Sequence, residues 1–239
     1  MESTLVATTA EGFGPDAAWR ATAPGFLSDW REALARVDHA CPSRLGPRTV
    51  GAPITDHRSS WVRRCRIGQR EIYCKTYGYP ALRDRLRGAL RNTWLAPSRA
   101  AREAAALRWL AEAGFEGPRA LGYAETRRLG FLRCAVLATE AWPSQALHEV
   151  WPSLAPARRT ELLAAVWRFV DALHARGFVD RNLDPRNLLV AGQGDAAFRI
   201  AKIDSPRHRI LPSSRRLARL VAEDRARLER GLARLAGAG

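Results

Sequence analysis

Two oxygen-bearing side chains, Asn187 and Asp204, are placed in the sequence where they could bind a divalent cation. Asn187 ends the segment Asp180–Asn187, which lies between a long stretch with helical periodicity and a predicted hairpin, and Asp204 follows that hairpin. Transfer of a phosphoryl group needs such a cation, because the cation neutralises the charge on the phosphate oxygens. Amide and carboxylate oxygens are hard ligands of the kind that Mg²⁺ accepts. We therefore predict that Asn187 and Asp204 are metal ligands.

A second pair of side chains, Lys75 and Glu103, suits the binding of phosphates. Lys75 ends the apolar run Ile72–Lys75, which predicts a strand, and Glu103 lies in the helical stretch that follows. Lys75 and Lys202 are the only lysines in a chain with 39 lysine and arginine residues, so a lysine at this position is informative. Phosphoryl transfer uses a strand lysine that a helix carboxylate holds in place. We predict that Lys75 and Glu103 form this pair, against the alternatives of a solvated strand lysine and an exposed glutamate.

The elements that must position Lys75 and Glu103 are predicted as strand, strand, helix, strand, strand. Ser98 is expected to cap the helix and Gly114 to end it. This order predicts an antiparallel sheet with one packed helix, which is an α+β arrangement. The predicted elements are Trp61–Ile67, Arg70–Tyr77, Arg99–Ala113, Ala120–Glu125 and Leu132–Thr139.

The chain beyond Glu140 is predicted to be mainly helical. Thr160 is expected to cap a helix that Gly177 ends, since apolar residues between them recur at helical spacing. A hairpin and a final arginine-rich helix follow, at Leu188–Val190 with Phe198–Ile203 and at Ser214–Ala236. We divide the chain into a mobile or peripheral segment at 1–45, which contains a short predicted helix at Phe26–Val37, a sheet-bearing lobe at 46–141 and a helical lobe at 142–239.

The charge balance is strongly basic. The formal net charge is +15 and the sequence pI is about 11.1. Such an excess favours a polyanionic neighbour, such as nucleic acid, an anionic membrane leaflet or a phosphorylated glycolipid. A surface that is simply rich in arginine explains the same numbers and stays open. The sequence has neither a basic start followed by an apolar run nor a stretch of transmembrane length, so we expect a cytoplasmic protein, with peripheral contact at an anionic inner membrane left open.

Several segments, in order, resemble the Kdo/WaaP family of lipopolysaccharide core kinases, which are bacterial relatives of the protein kinases. The resemblance covers about residues 60–220 and rests on the order of the motifs, because each motif is short. The segments are Tyr73–Tyr77, the basic stretch Arg83–Arg91, Ser98–Glu103, Leu110–Phe115, Leu137–Glu140, Asp180–Asn187 and Ile203–Arg207.

The resemblance implies a two-lobed protein-kinase-like fold, with residues 46–141 as the N-terminal lobe and residues 142–239 as the C-terminal lobe. It implies ATP and Mg²⁺ as cofactors, and it places the backbone at Glu140 beside the adenine. The implied acceptor is a hydroxyl of an inner-core sugar of lipopolysaccharide, Kdo or heptose. Lipopolysaccharide core, or another anionic glycolipid, is therefore the expected partner.

The catalytic loop departs from the kinase pattern of His-x-Asp, since this chain has Asp180, Arg181 and Asn182 in that place. The neutral amide of Asn182 stands at the base position and cannot accept a proton there. Asp180 and Asp184 are close enough in sequence to substitute for the base, although we expect Asp184 to cap the turn at Pro185 instead.

The hairpin Arg58–Ile67 is a second departure, because it contains no glycine where kinases fold a glycine-rich loop over the phosphates. Three functions therefore stay open. The first is an active sugar kinase, and the second is a pseudokinase that binds ATP but acts as a regulator or scaffold. The third is a basic module for nucleic acid or membrane surfaces, in which nucleic acid is the least favoured partner.

Overall fold

The structure is a computed structural model that describes residues 20–21, 52–57, 60–67, 70–79, 96–192 and 196–237. Several predicted features lie outside the described residues. They are the helix Phe26–Val37, the basic stretch Arg83–Arg91 and the turns at 58–59, 68–69 and 193–195.

The first of two compact units contains a six-stranded antiparallel sheet. The strand order is β1-β5-β6-β4-β3-β2, so the two hairpins β3–β4 and β5–β6 meet at β4 and β6. The four predicted strands are confirmed, and two further strands, β1 and β2, extend the sheet at its edges. The strands are β1 (Arg20–Ala21), β2 (Ala52–His57), β3 (Ser60–Ile67), β4 (Arg70–Gly78), β5 (Ala120–Arg128) and β6 (Phe131–Glu140).

The helix α1, Arg99–Glu112, follows β4 along the chain, and its prediction is confirmed to within one residue at its end. Ser98 begins the helix, because its Oγ accepts a hydrogen bond from the amide of Ala101 at 3.0 Å. Gly114 ends it with a φ of +80°, a conformation that glycine adopts without strain. The boundary between the two compact units falls within α1, after Arg108.

The second compact unit holds the described residues of 109–118 and 142–239, and it is mainly helical. Its short strands form two antiparallel sheets. One has the strand order β10-β9-β7, and the other pairs β8 with β11. Together with the sheet of the first unit, this composition confirms the α+β class. The elements are β7 (Gln145–Ala146), α2 (Leu147–Val150), α3 (Pro156–Ala175), β8 (Phe178–Asp180), β9 (Leu188–Ala191), β10 (Arg199–Lys202), β11 (His208–Ile210) and α4 (Arg215–Gly237).

The predicted start of α3 at Thr160 is wrong, since the helix begins four residues earlier at Pro156. Proline is favoured at the first helical position because its fixed φ suits the helix and its missing N–H is not needed there. The hydroxyl of Thr160 instead donates a hydrogen bond within the helix to the carbonyl of Pro156, at 3.2 Å. Gly177 lies just beyond the end of α3, at a φ of +77°.

The core of the second unit is formed mainly by α3, the strand pair β9–β10 and α4. Leu162, Val166, Leu188 and Leu228 are fully buried in it. None of the helices in the described part of the chain combines the length and the apolar character that a bilayer-spanning helix needs.

Candidate functional site

The lysine of β4 and the glutamate of α1 form an ion pair in the first unit. Lys75 Nζ lies 3.3 and 3.1 Å from the two carboxylate oxygens of Glu103. The Tyr77 hydroxyl donates to Oε2 of the same carboxylate at 2.8 Å, because Lys75 and Tyr77 are two residues apart and share one face of the strand. The Glu103 side chain is 5% exposed and that of Lys75 is 20% exposed, so a ligand can reach the lysine while the glutamate is held inside.

The N-terminal end of α1 is tied to the sheet, which positions Glu103 one turn further along. Glu125 of β5 accepts a hydrogen bond from the amide of Ser98 at 3.0 Å and pairs with Arg127 at 3.0 Å. Burial acts against ionisation of Glu125, but the hydrogen bonds from Ser98 and Arg127 outweigh it and lower the pKa of its carboxyl group below the ordinary value. Arg127 also donates to the carbonyl of Ala96 at 2.6 Å. The helix start is therefore fixed by charge-assisted hydrogen bonds.

Glu140, which the family resemblance places at the adenine, is the last residue of β6. Its amide donates to the carbonyl of Arg119 at 2.9 Å, and the amide of Ala141 donates to the carbonyl of Glu71 at 3.0 Å. Both of these backbone donors are used within the first unit. Contact of this segment with adenine remains a prediction.

The predicted catalytic segment begins with a sealed ion pair in the second unit. Asp180 ends β8 and Lys202 ends β10, and Lys202 Nζ lies 2.8 Å from Asp180 Oδ2 with side-chain exposures of 0% and 1%. This is a contact of charges rather than a well-directed hydrogen bond, since Lys202 Nζ directs its hydrogen bond at the carbonyl of Ile203, 2.6 Å away. The other carboxylate oxygen of Asp180 accepts from the amide of Asn182 at 3.2 Å. The Asp180 carboxylate is thus fully engaged in holding the loop.

A buried carboxylate on α4 holds the same segment from the other side. Asp224 Oδ2 accepts a hydrogen bond from the amide of Asp180 at 2.6 Å and lies 3.6 Å from Nε2 of His174. Asp224 belongs to the buried face of α4, between Leu220 and Leu228, which are four residues away on either side. The helix therefore supplies a hydrogen-bond acceptor to the start of the catalytic segment.

The amide of Asn182 contacts the predicted metal ligand Asp204. Its Nδ2 lies 2.8 Å from the backbone carbonyl of Asp204 and 2.5 Å from its carboxylate Oδ2. The side-chain amide of Asn187 in turn donates to the carbonyl of Asn182 at 3.0 Å. The structure thus brings Asn182, Asn187 and Asp204 together in one hydrogen-bonded cluster.

Asp204 has a φ of +57°, in the left-handed region that most residues avoid. Asparagine and aspartate tolerate this region better than other residues with a Cβ, and such conformations concentrate at functional sites. The amide of Ile203 donates to the carbonyl of Asn187 at 3.0 Å, so the residue before Asp204 is anchored to the catalytic segment.

Asp184 caps the turn at Pro185–Asn187, and this prediction is confirmed. Its carboxylate accepts a hydrogen bond from the amide of Arg186 at 3.1 Å and from the Arg186 guanidinium at 2.9 Å. Burial acts to raise the pKa of Asp184, but the hydrogen bonds from Arg186 and the charges of Arg186 and Arg234 outweigh it and lower the pKa below the ordinary value. A carboxylate held this way is a weak proton acceptor.

The close approach of α4 to this turn depends on Gly231. A Cβ at that position would lie 2.4 Å from Cδ of Pro185, which is too short for a contact between carbon atoms. The absence of a side chain at Gly231 therefore lets α4 support the turn that leads to Asn187.

Asn187 and Asp204 are the predicted ligands of Mg²⁺, and metal binding by their side-chain oxygens remains a prediction. One carboxylate oxygen of Asp204 accepts from Asn182, and the side-chain oxygen of Asn187 is not the atom used in its bond to Asn182. Mg²⁺ in kinases is bound by few protein ligands together with phosphates and water, and this donor set fits that kind of site. In the described ranges, no cluster of three or more His, Cys, Asp or Glu side chains offers a complete protein cage for a metal.

Two residues that organise the site were not predicted from the sequence, namely Lys202 and Asp224. Asp224 could have been noticed in the sequence, because it is an acidic residue at the spacing of the apolar positions Leu220 and Leu228 on one helix face. The indication for Lys202 is weaker, namely that it is one of two lysines in the chain.

Comparison with known proteins identifies a family and a fold. The model of the lipopolysaccharide kinase (Kdo/WaaP) family matches residues 56–235. The solved structure of WaaP in complex with acyl carrier protein is 21% identical to this chain, with a TM-score of 0.54 over 75% of this chain and 69% of that one. The Rio2 kinase of Chaetomium thermophilum, in a complex with ADP/Mg²⁺-phosphoaspartate, is 18% identical, with a TM-score of 0.57 over 75% of this chain and 54% of that chain.

These structural similarities confirm the protein-kinase-like fold. No curated protein sequence matches the chain.

Proposed function

The chain belongs to the lipopolysaccharide kinase (Kdo/WaaP) family, and from this premise we propose that it transfers the γ-phosphoryl group of ATP to a hydroxyl of an inner-core sugar of lipopolysaccharide, Kdo or heptose. The observation that carries the proposal is the ion pair between Lys75 and Glu103, at 3.1 Å and only partly exposed. A lysine fixed by a buried carboxylate is the arrangement that holds ATP phosphates in kinase-like enzymes.

Each residue of the site has a distinct role in this proposal. Lys75 contacts the phosphates, Glu103 holds Lys75, and the backbone near Glu140 meets the adenine. Asn187 and Asp204 hold Mg²⁺ through their side-chain oxygens. When bound, Mg²⁺ neutralises charge on the phosphate oxygens.

Asn182 orients Asp204 rather than removing a proton. Its Nδ2 donates to the Asp204 carboxylate at 2.5 Å, and an amide cannot serve as a base. The bond between phosphorus and the acceptor oxygen forms as the bond to ADP breaks, and the hydroxyl proton leaves to solvent. Positioning and electrostatics supply most of the acceleration in phosphoryl transfer, so a slow reaction without a base is consistent with the site.

The direct test is transfer from ATP with Mg²⁺ to a deacylated inner-core oligosaccharide that contains Kdo and heptose. Phosphorylated product is measured by mass spectrometry and ADP release by a coupled assay. We expect product with the parent chain and none with Lys75→Ala or Asp204→Ala. Arg70→Ala is the matched control, because Arg70 is an exposed cation on the same strand as Lys75. Product formation that survives Lys75→Ala would refute the assignment.

A pseudokinase is the second candidate, and the contact between Asn182 and Asp204 favours it. The Asn182 amide contacts the predicted metal ligand Asp204. Both predicted substitutes for the base are engaged elsewhere, since Asp180 pairs with Lys202 and Asp184 with Arg186. In this case ATP with Mg²⁺ raises the unfolding midpoint of the chain, but no phosphorylated product accumulates.

The substitution Asn182→Asp separates the two candidates. General-base assistance contributes about 10²–10⁴-fold in enzymes. If the parent is a slow kinase, its measurable transfer rate should rise by a part of that factor in Asn182→Asp. If the parent is a pseudokinase, it should show no transfer, and transfer should be detected only in the variant. Saturating Mg²⁺ is needed in this assay, because the new carboxylate would face that of Asp204.

A further inference from the structure

A pocket of about 280 Å³ opens on the second unit beside the catalytic segment, and arginine dominates its lining. We call it the arginine pocket. Its charged lining residues are Arg181, Arg207, Arg209, Arg219, Glu223 and Asp224.

The arginine pocket is built from three separate parts of the chain. β8 pairs with β11 so that His208 faces Asp180 and Arg209 faces Val179. Arg181 follows β8 and Arg207 precedes β11, and both line the pocket together with Arg209. The first turns of α4 contribute Arg219 beside them.

The positive charge of the pocket is only partly balanced. Glu223 lies 3.7 Å from Arg219 on the next turn of α4. The Asp224 carboxylate is directed inward to the amide of Asp180 and to His174. Across the described ranges of the chain, no carboxylate forms an ion pair with Arg181, Arg207 or Arg209.

Elsewhere in the second unit, comparable arginines are paired. Arg199 contacts Glu116, Arg225 contacts Asp171 and Arg186 contacts Asp184. Other arginines on α4, such as Arg227 and Arg230, are exposed and do not line the pocket. The four pocket arginines are exposed as well, and they differ in that they line one cavity. In the arginine pocket the guanidinium groups share one concavity, where like charges repel and a concave surface concentrates the field. A bound anion relieves that repulsion.

We propose that the arginine pocket binds an anionic group of the acceptor, a carboxylate or a phosphate on the sugar. Guanidinium groups suit this role because they bind both groups through two parallel hydrogen bonds. The assignment to the acceptor rests on the proposed function, whereas the anion site itself rests on the pocket alone. Arg181 lies between Asp180 and Asn182 in the sequence, so a sugar held by its anionic group is anchored at the catalytic segment.

The experiment compares three full-length proteins, the parent, Arg207→Gln/Arg209→Gln and Arg227→Gln/Arg230→Gln. The last is the matched control, because it removes the same charge from exposed positions on α4 outside the pocket. Inorganic phosphate and free Kdo, which carries a carboxylate, are titrated at constant ionic strength, and the unfolding midpoint is measured. We expect both ligands to raise the midpoint of the parent and of the control, and neither to raise that of the pocket variant.

The acceptor assignment is tested with the same proteins in the transfer assay. We expect the pocket variant to raise the KM for the oligosaccharide about 10–100-fold, as for the loss of charged hydrogen bonds, with kcat at saturation little changed. Equal responses of all three proteins to phosphate, or none, would overturn the site. A response to phosphate without one to Kdo would overturn the acceptor assignment.

ATP with Mg²⁺ is titrated in parallel, so that failure of the proposed function is seen separately. If ATP fails to stabilise the parent while Kdo stabilises it through the pocket arginines, the kinase proposal falls and the sugar-acid site stands. Stabilisation by ATP that is equal in all three proteins is the expected result, since the arginine pocket is not assigned to the nucleotide.

Discussion

The two lysines of the chain each face a carboxylate, one in each compact unit, and the two pairs differ in their exposure. Lys75 lies 3.1 Å from Glu103 and is 20% exposed, whereas Lys202 lies 2.8 Å from Asp180 and is 0% exposed. A ligand can reach the first lysine but not the second. We therefore expect the two ion pairs to serve different purposes, ligand binding at Lys75 and support of the catalytic segment at Lys202.

The sealed pair, Lys202–Asp180, is suited to holding a loop in place. Burial of an ion pair has a large desolvation cost, and the net contribution of such a pair over apolar residues is often small. Replacing only one member of the pair has a larger effect, because the other charge is then buried without its partner. The open pair, Lys75–Glu103, is less sensitive to this effect, because Lys75 is partly exposed and water can take its place beside the Glu103 carboxylate. That carboxylate also keeps the hydrogen bond from the Tyr77 hydroxyl.

The largest effect is expected from Lys202→Met. The substitution leaves the Asp180 carboxylate buried without a cation, and breaking buried pairs in this way costs about 3–5 kcal/mol. Urea unfolding should show this loss as a lower midpoint. The control Lys75→Met, in the open pair, should lower the midpoint much less.

A double substitution checks the cause. Asp180→Asn removes the stranded charge and keeps an oxygen for the amide of Asn182, so Lys202→Met combined with Asp180→Asn should recover part of the lost stability. If the double variant were less stable than Lys202→Met alone, uncompensated charge could not be the reason.

A smaller effect is expected from Tyr77→Phe in the open pair. The hydroxyl donates to Oε2 of Glu103 at 2.8 Å inside the first unit, and hydrogen bonds to charged groups contribute about 1.5–3 kcal/mol. The free energy of unfolding should fall by an amount in this range. Tyr73→Phe is the control on the same strand, since no hydrogen bond of the Tyr73 hydroxyl links it to Glu103; an equal loss in both variants would remove the Glu103 contact as the explanation.

The smallest effect is expected on the stability of the fold at acidic pH. Glu125 in the first unit and Asp184 in the second have pKa values below their ordinary values of 4.5 and 3.8. Each carboxylate therefore stabilises the fold above its ordinary pKa, and this contribution is lost as the pH falls through the lower folded value. Each contribution is about 1 kcal/mol or less, because both side chains are partly exposed.

Unfolding midpoints measured between pH 6 and pH 3 check this expectation. Glu125→Gln should flatten the loss of stability that begins below about pH 4.5, and Asp184→Asn the loss below about pH 3.8. Curves that run parallel to that of the parent throughout would show that neither carboxylate contributes in this way.

The open pair could be predicted from the sequence because its two members belong to local patterns. Lys75 ends an apolar strand and Glu103 lies one turn into a helix with a serine cap, so the strand and the helix can be predicted from the sequence around each residue. The sealed pair could not be predicted in the same way. Asp180 ends β8 and Lys202 ends β10, and these strands belong to different sheets. The two residues therefore meet through tertiary packing, which no local pattern records.

Two smaller differences between the predicted and the observed elements also have local explanations. α3 begins at Pro156 rather than Thr160, because a proline at the first helical position outweighed the threonine as a start signal. The strand β2, Ala52–His57, was not predicted, since its residues do not alternate between apolar and polar side chains and its stability comes from pairing with β3.

The central claim is that accessibility makes Lys75 a phosphate ligand and leaves Lys202 a structural residue. Its most direct test is the dissociation constant of ATP with Mg²⁺, measured by isothermal calorimetry for the parent, Lys75→Met and the control Arg70→Met. The account predicts an affinity at least about tenfold weaker for Lys75→Met, as for the loss of a charged hydrogen bond, and no change for Arg70→Met. Equal affinities for the parent and Lys75→Met, with both proteins folded, would contradict it.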